Sequence, residues 1–193
     1  MDMTVLEKEL ASHQAVLENT IKGSGEIIQA IIDAMVHCFK QGNKILLCGN
    51  GGSAADAQHV AGEFVNRFGF DRPALPAIAL TTDTSVLTCI ANDSSFENVF
   101  SRQVEALGRA GDILVGISTS GGSINVLRAL ETGRTGKLLT IGFTGENGRK
   151  IFTDTCDLSL VIPSTITPQI QEGHLFVWHT ICGAVEKAMF PMD

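Results

Sequence analysis

The chain has 193 residues, 44% of them apolar, which is enough for one sizeable α/β core. Its formal net charge is −7 and no basic cluster interrupts it, which argues against nucleic acid and anionic membrane as main partners. No apolar run reaches the ~18 residues that span a bilayer, and the acidic, polar start has no signal-peptide pattern. Five scattered cysteines (Cys38, Cys48, Cys89, Cys156, Cys182) without a C-x-x-C pair read as reduced thiols of a cytoplasmic protein.

Residues 3–21 can form a helix with Val5, Leu6, Leu10, Val16, Leu17 and Ile21 roughly along one side. Lys22-Gly-Ser-Gly is expected to break it, and Glu26 to Lys40 to form a second helix whose apolar residues cover more than one face. Such a leading pair either packs on its own sheet or makes an oligomer interface. Lys44 to Cys48 reads as a short buried strand that ends in a glycine turn, Gly49-Asn-Gly-Gly. There Gly51 and Gly52 let the backbone turn and approach a ligand. Ser53 stands where a helix N-cap is expected, with the helix running from about Ala54 to Phe68. The N–H groups at its start suit an anion, although strand–glycine–helix joints occur in many α/β proteins. On that helix His59 and Glu63 are four apart and share a face. By spacing they are either a surface pair or a catalytic or metal-binding one; the apolar neighbours Val60, Ala61 and Phe64 argue against a fully solvated face.

A second strand is expected over Ala77–Leu80, helices over Asp83–Ala91 and Phe96–Leu107, and a loop at Asn92–Ser95 between them. Strands over Asp112–Ile117, Lys137–Phe143 and Leu158–Ile162 follow, with a helix over Ile124–Glu131 and a closing helix over Pro168–Met189. Strands alternating with helices predict a three-layer αβα fold around a mainly parallel five-stranded sheet, in one domain. Ligands in such sheets sit at the carboxyl ends of the strands. That edge holds both the glycine turn and Ser118-Thr-Ser-Gly-Gly-Ser, whose hydroxyls on Ser118, Thr119, Ser120 and Ser123 precede a helix. Hydroxyls plus helix N–H groups suit a phosphate; the plainer reading is a hydroxyl-rich capping turn. In the closing helix Gln171 and His179 are eight residues apart, roughly 12 Å along the axis. They meet at one point only if their side chains lean together; otherwise the histidine is a buried, hydrogen-bonded one.

The segments Cys48-Gly-Asn-Gly-Gly-Ser, Arg72-Pro-Ala-Leu-Pro-Ala-Ile-Ala, Ala91-Asn-Asp, Gly116-Ile-Ser-Thr-Ser-Gly and Ile170-Gln-Glu-Gly-His resemble the sugar isomerase (SIS) domain, and within it the bacterial phosphoheptose isomerases. The resemblance runs over nearly the whole chain. It implies an aldose–ketose isomerase that converts sedoheptulose 7-phosphate to D-glycero-D-manno-heptose 7-phosphate, the first step towards a glycoconjugate heptose. It further implies a cytoplasmic homotetramer with active sites between subunits, residues 1–41 helping to assemble it, and one zinc ion per subunit. By motif, Glu63 and His179 match the catalytic carboxylate and imidazole, and His59, Glu63, Gln171 and His179 the zinc ligands. Ser53, Ser118, Ser120 and Ser123 match the phosphate-binding hydroxyls, and Asn50, Gly51, Gly52, Arg67, Asp93, Thr119 and Gln171 other substrate positions. Two positions depart from the family pattern: Gly122, where the family often has Asn, and Pro168, where it often has Asp. The chain is also similar to SIS proteins that bind the bacterial replication initiator, but those lack the carboxylate and imidazole that Glu63 and His179 supply. A sugar-phosphate sensor without turnover is the third reading.

Overall fold

Apolar residues alternate along the strands, and each alternate set feeds a separate core. In Ile45–Gly49 (β1), Ile45 and Leu47 enter one core while Leu46 and Cys48 enter the other. This is the period-two signature of a strand buried on both faces. The computed structural model describes residues 3–191. Its remaining strands are Ala77–Ala79 (β2), Ile113–Ser118 (β3), Leu139–Gly145 (β4) and Leu158–Ile162 (β5). They form one sheet in the order β2-β1-β3-β4-β5, every neighbouring pair parallel.

Helices cover both faces, completing the expected three layers. Met3–Lys40 (α1), Gly52–Val65 (α2) and Thr167–Met189 (α7) bury their apolar sides in the first core. Thr84–Asp93 (α3), Ser101–Leu107 (α4), Ile124–Thr135 (α5) and Arg149–Thr155 (α6) pack towards the second. The chain leaves β1 for α2 on one face and leaves β3 for α5 on the other. Between β1 and β3 the strand order reverses, and the crevice at such a switch point is where open parallel sheets bind ligands. The register pairs Gly49 with Ile117, so the loops after β1 and β3 start side by side at this crevice.

The expected pair of leading helices is instead one 38-residue helix. Gly23 and Gly25 lie inside it, where each costs about 1 kcal/mol relative to alanine, but no proline removes a hydrogen bond there. Burial of Val16, Thr20, Ser24, Ile31, Ile32, Met35 and Phe39, against β5 and α7, outweighs that local penalty. The helix expected over Phe96–Leu107 is divided: a 3-10 turn at Phe96–Asn98 precedes α4. The loop expected at Asn92–Ser95 is shortened because α3, capped by the Asp83 carboxylate, runs on to Asp93. Helix α6 carries no apolar repeat to betray it and buries only Phe152. No helix among the described residues is long and apolar enough to cross a membrane.

Candidate active site

The loop after β1 is shaped by backbone. Gly51, at φ 54°, occupies the cap position of α2, so Ser53 is not the N-cap that its type suggests. It lies one residue inside the helix, its N–H donating to the Asn50 carbonyl, and only 5% of it is exposed. The reason is the left-handed turn at Gly51, which starts the helix earlier than a serine cap would. Gly52 is held to hydrogen by the closing helix: a Cβ there would overlap the Gln171 amide. Gln171 therefore sits on the glycine loop.

The loop after β3 is built from side-chain hydroxyls. Ser118 Oγ donates to Ser123 Oγ at 2.9 Å, and Ser120 Oγ accepts the Gly122 N–H at 3.2 Å. Ser123 is the residue before α5, whose positive end faces the same loop. Gly121, at φ 73°, passes so close to Gly148 that a Cβ would overlap its Cα, which pins the loop against the segment after β4. The half-buried Thr119 turns its carbonyl to the Gly145 N–H. At Gly122 a Cβ would meet only Ser120 Oγ, at 3.8 Å, so the family's asparagine has room here. Pro168 lies in the exposed first turn of α7, a position that tolerates proline because its N–H would have no helical partner.

Asn50 and Asn125 join the two loops through a reciprocal amide pair: Asn50 Nδ2 donates to Asn125 Oδ1 at 2.8 Å, and Asn125 Nδ2 returns to Asn50 Oδ1 at 2.9 Å. Asn125 escaped the sequence reading. Its signal was present, a polar residue on the buried side of a helix start, but its partner lies 75 positions away.

A second cluster forms lower on α2 and α7. His59 Nε2 and His179 Nε2 face each other at 2.9 Å, so one ring donates and the other accepts according to tautomer. Glu63 Oε1 lies 3.4 Å from His59 Nε2. The Phe68 ring packs against His179 with centroids 5.7 Å apart. One turn before His59, Asp56 is 6% exposed, and its Oδ2 has no hydrogen-bond partner among the described residues. Burial pushes its carboxyl up to about 6, against the opposing pull of His59. Asp56 also escaped the sequence reading; a lone aspartate three residues before a histidine is no signal without its burial.

Of the four residues expected as zinc ligands, the fold brings three together. His59, Glu63 and His179 offer two imidazole nitrogens and a carboxylate, donors that zinc accepts. Gln171 is at the glycine loop, opposite a residue seven positions before His59 and so about 10 Å away along α2. As they stand, no group of three or more His, Cys, Asp or Glu side chains among the described residues, His59, Glu63 and His179 included, is arranged to hold a metal ion. The donor chemistry fits the ion in part, and the four-ligand set does not close within one chain. Two other expected residues stand apart. Exposed Arg67, beyond the end of α2, pairs with Asp71. Asp93 accepts a bond from Asn92 and lines a cleft of about 580 Å³ between α3 and α4.

Comparison with known proteins bears on the family and the fold. The SIS domain family matches residues 10–145. The phosphoheptose isomerase of Burkholderia pseudomallei (strain 1710b) is 50% identical over 191 residues, 98% of this chain and 96% of that protein. That of Roseiflexus sp. (strain RS-1) is 52% identical over 182 residues, 94% of this chain and 92% of its own length. The solved phosphoheptose isomerase of Neisseria gonorrhoeae superposes with a TM-score of 0.89 at 42% identity, covering 96% of this chain and 98% of that one. Alike in sequence over nearly its whole length and in fold, this chain belongs to the SIS domain family, among its phosphoheptose isomerases.

Proposed function

We propose that the chain is an aldose–ketose isomerase that converts sedoheptulose 7-phosphate to D-glycero-D-manno-heptose 7-phosphate through a cis-enediol. The observation that carries this is the meeting of Glu63, His59 and His179 on α2 and α7, below two loops rich in hydroxyl and N–H groups. Sugar-phosphate isomerisation needs both parts: an anchor for the phosphate, and a base with a proton shuttle some distance along the sugar.

In this reading Ser53, Ser118, Thr119, Ser120 and Ser123 bind the phosphate, with Asn50, Gly51, Gly52 and Gln171 along the sugar. The phosphate contacts hold the chain of the sugar in register while its other end reaches the cluster. Glu63 removes a proton from C1 of the ketose, the C1–C2 double bond of the enediol forms, and the Glu63 carboxyl, whose proton exchanges with water, delivers a proton to C2. His179 moves the hydroxyl proton between O1 and O2. His59, Glu63 and His179 would also be the donors for a zinc ion, which when bound supplies a Lewis acid for the two sugar oxygens. Arg67 and Asp93, away from the crevice in one chain, belong to this proposal through a neighbouring subunit. The exposed Val5, Leu6, Leu10 and Ile21 on α1 and Phe176 on α7 offer apolar surface for assembly with further copies of this chain; in this proposal the assembly is a cytoplasmic homotetramer with active sites between subunits.

The deciding experiment is turnover of sedoheptulose 7-phosphate by the purified protein in deuterated water. The expected result is an aldose product carrying deuterium at C2. Binding of the sugar phosphate without turnover would instead favour the sensor reading.

A further inference from the structure

We propose that Arg72 and Glu186 are positioning residues for the isomerisation: a buried ion pair that sets the spacing of α2 and α7 and so brings Glu63 and His59 against His179. The proposal rests on the functional reading above.

The pair is buried, with side-chain exposures of 1% for Arg72 and 2% for Glu186. Arg72 Nε donates to Glu186 Oε1 at 3.0 Å. The rest of the guanidinium caps the end of α2: Nη2 donates to the Glu63 carbonyl at 2.8 Å, and Nη1 to the Phe64 carbonyl at 2.6 Å and the Pro73 carbonyl at 3.0 Å. The last carbonyls of a helix lack helical partners and carry its negative pole, so a planar cation with several donors is the group they call for. Glu186 in turn accepts the N–H of Phe68 at 2.8 Å and of Gly69 at 2.7 Å. Burial alone would raise its carboxyl, but those two N–H groups and Arg72 together hold it below the ordinary glutamate value.

The two ends of this clamp are the two halves of the site. Arg72 grips the peptide carbonyl of Glu63 itself. Glu186 is seven residues beyond His179 and lies on the same face of α7. It also fixes the backbone of Phe68, whose ring packs on His179. A buried ion pair is a weak source of net stability, because desolvation offsets most of its attraction. Its geometry here accounts for it better: five protein groups of the α2 end and the following turn are held to one carboxylate and one guanidinium.

Arg72→Lys and Glu186→Gln test the proposal. Lysine keeps the charge but has no fork to hold two carbonyls. Glutamine offers one acceptor oxygen where Phe68 and Gly69 need two. Both variants are expected to lower kcat by about tenfold to a hundredfold with KM changed much less, since misplacement of catalytic groups by about an ångström has effects of that size. Amide hydrogen exchange should quicken at residues 63–69 while the amides of β1 and β3 stay protected. A variant with wild-type kcat and only a lower melting temperature would show a purely structural pair and overturn the proposal. So would a fall in kcat without local loosening at residues 63–69. If Arg72→Lys fails to fold, Glu186→Gln carries the same test. A wild type inert on sedoheptulose 7-phosphate removes the functional reading and the proposal with it, and that outcome is seen before any variant is compared.

Discussion

The crevice loops and the helix cluster are built on different principles. Residues 49–53 and 118–123 are each contiguous, and each makes its site from backbone turns, hydroxyls and a helix start. The cluster lower on α2 and α7 has its two imidazoles 120 positions apart, held at 2.9 Å by the packing of two helices. A loop cradle tolerates local change because several weak donors share the ligand. A cluster of three side chains on two helices does not, since each has one task and one geometry.

The largest expected effect lies in the cluster. Glu63→Gln keeps the size of the side chain and an acceptor oxygen but removes the base. Its kcat should fall by roughly 10²–10⁴, the scale of a positioned general base, with deuterium exchange lost in parallel. Retention of the wild-type rate in an active background would move the base elsewhere. The cradle should respond through affinity. Ser118→Ala with Ser120→Ala removes two hydroxyls, each worth about 1.5 kcal/mol or more towards a charged group, so KM should rise about 10²-fold. Unchanged KM would take the phosphate out of this loop.

Between the two regions sits His174, fully buried, its Nε2 3.2 Å from the Thr144 carbonyl near the end of β4. Burial pushes its imidazole down to about 4, the bond to Thr144 only partly opposing this. The unfolded chain takes up this proton from about pH 6.5 downward and the folded one only near pH 4, so folding stability is present above pH 6.5 and declines as pH falls. Buried Asp56, raised to about 6, pulls the other way over part of that range, so a difference between variants is the clean measurement. Urea unfolding of wild type and His174→Gln at pH 7.5 and pH 5 should show the gap between them shrink by about 2 kcal/mol at the lower pH. A constant gap would mean that His174 is not held neutral. The smallest effect is expected at Gly122→Asn: with open space at its Cβ, KM should change by no more than about twofold. A large change would show that this chain uses its cradle differently from relatives with asparagine there.

Much of the fold was legible in the chain. Strand β5 lies where its apolar run put it, and α7 differs by one residue at its start. These are segments whose local pattern and tertiary burial agree. Gly23 and Gly25 misled because their local penalty is small beside the burial of the whole helix, and α6 was missed because a helix with one buried side chain has no periodicity to read. In the site, the hydroxyl loop and the His59–Glu63 spacing were visible, being local. The Asn50–Asn125 bridge, the burial of Asp56 and the Arg72–Glu186 clamp were not.

By itself, the sequence determined the alternation of strands and helices, the two loops at the carboxyl edge, the shared face of His59 and Glu63, and the family. All of these depend on neighbours within a few residues or on motifs in line. Only the tertiary structure decided that the strand order reverses between β1 and β3, that His179 meets His59, and that Gln171 lies on Gly52 instead of beside them. Those contacts depend on how α2 and α7 cross and close, and residues more than a hundred positions apart carry no trace of that angle in their own local pattern.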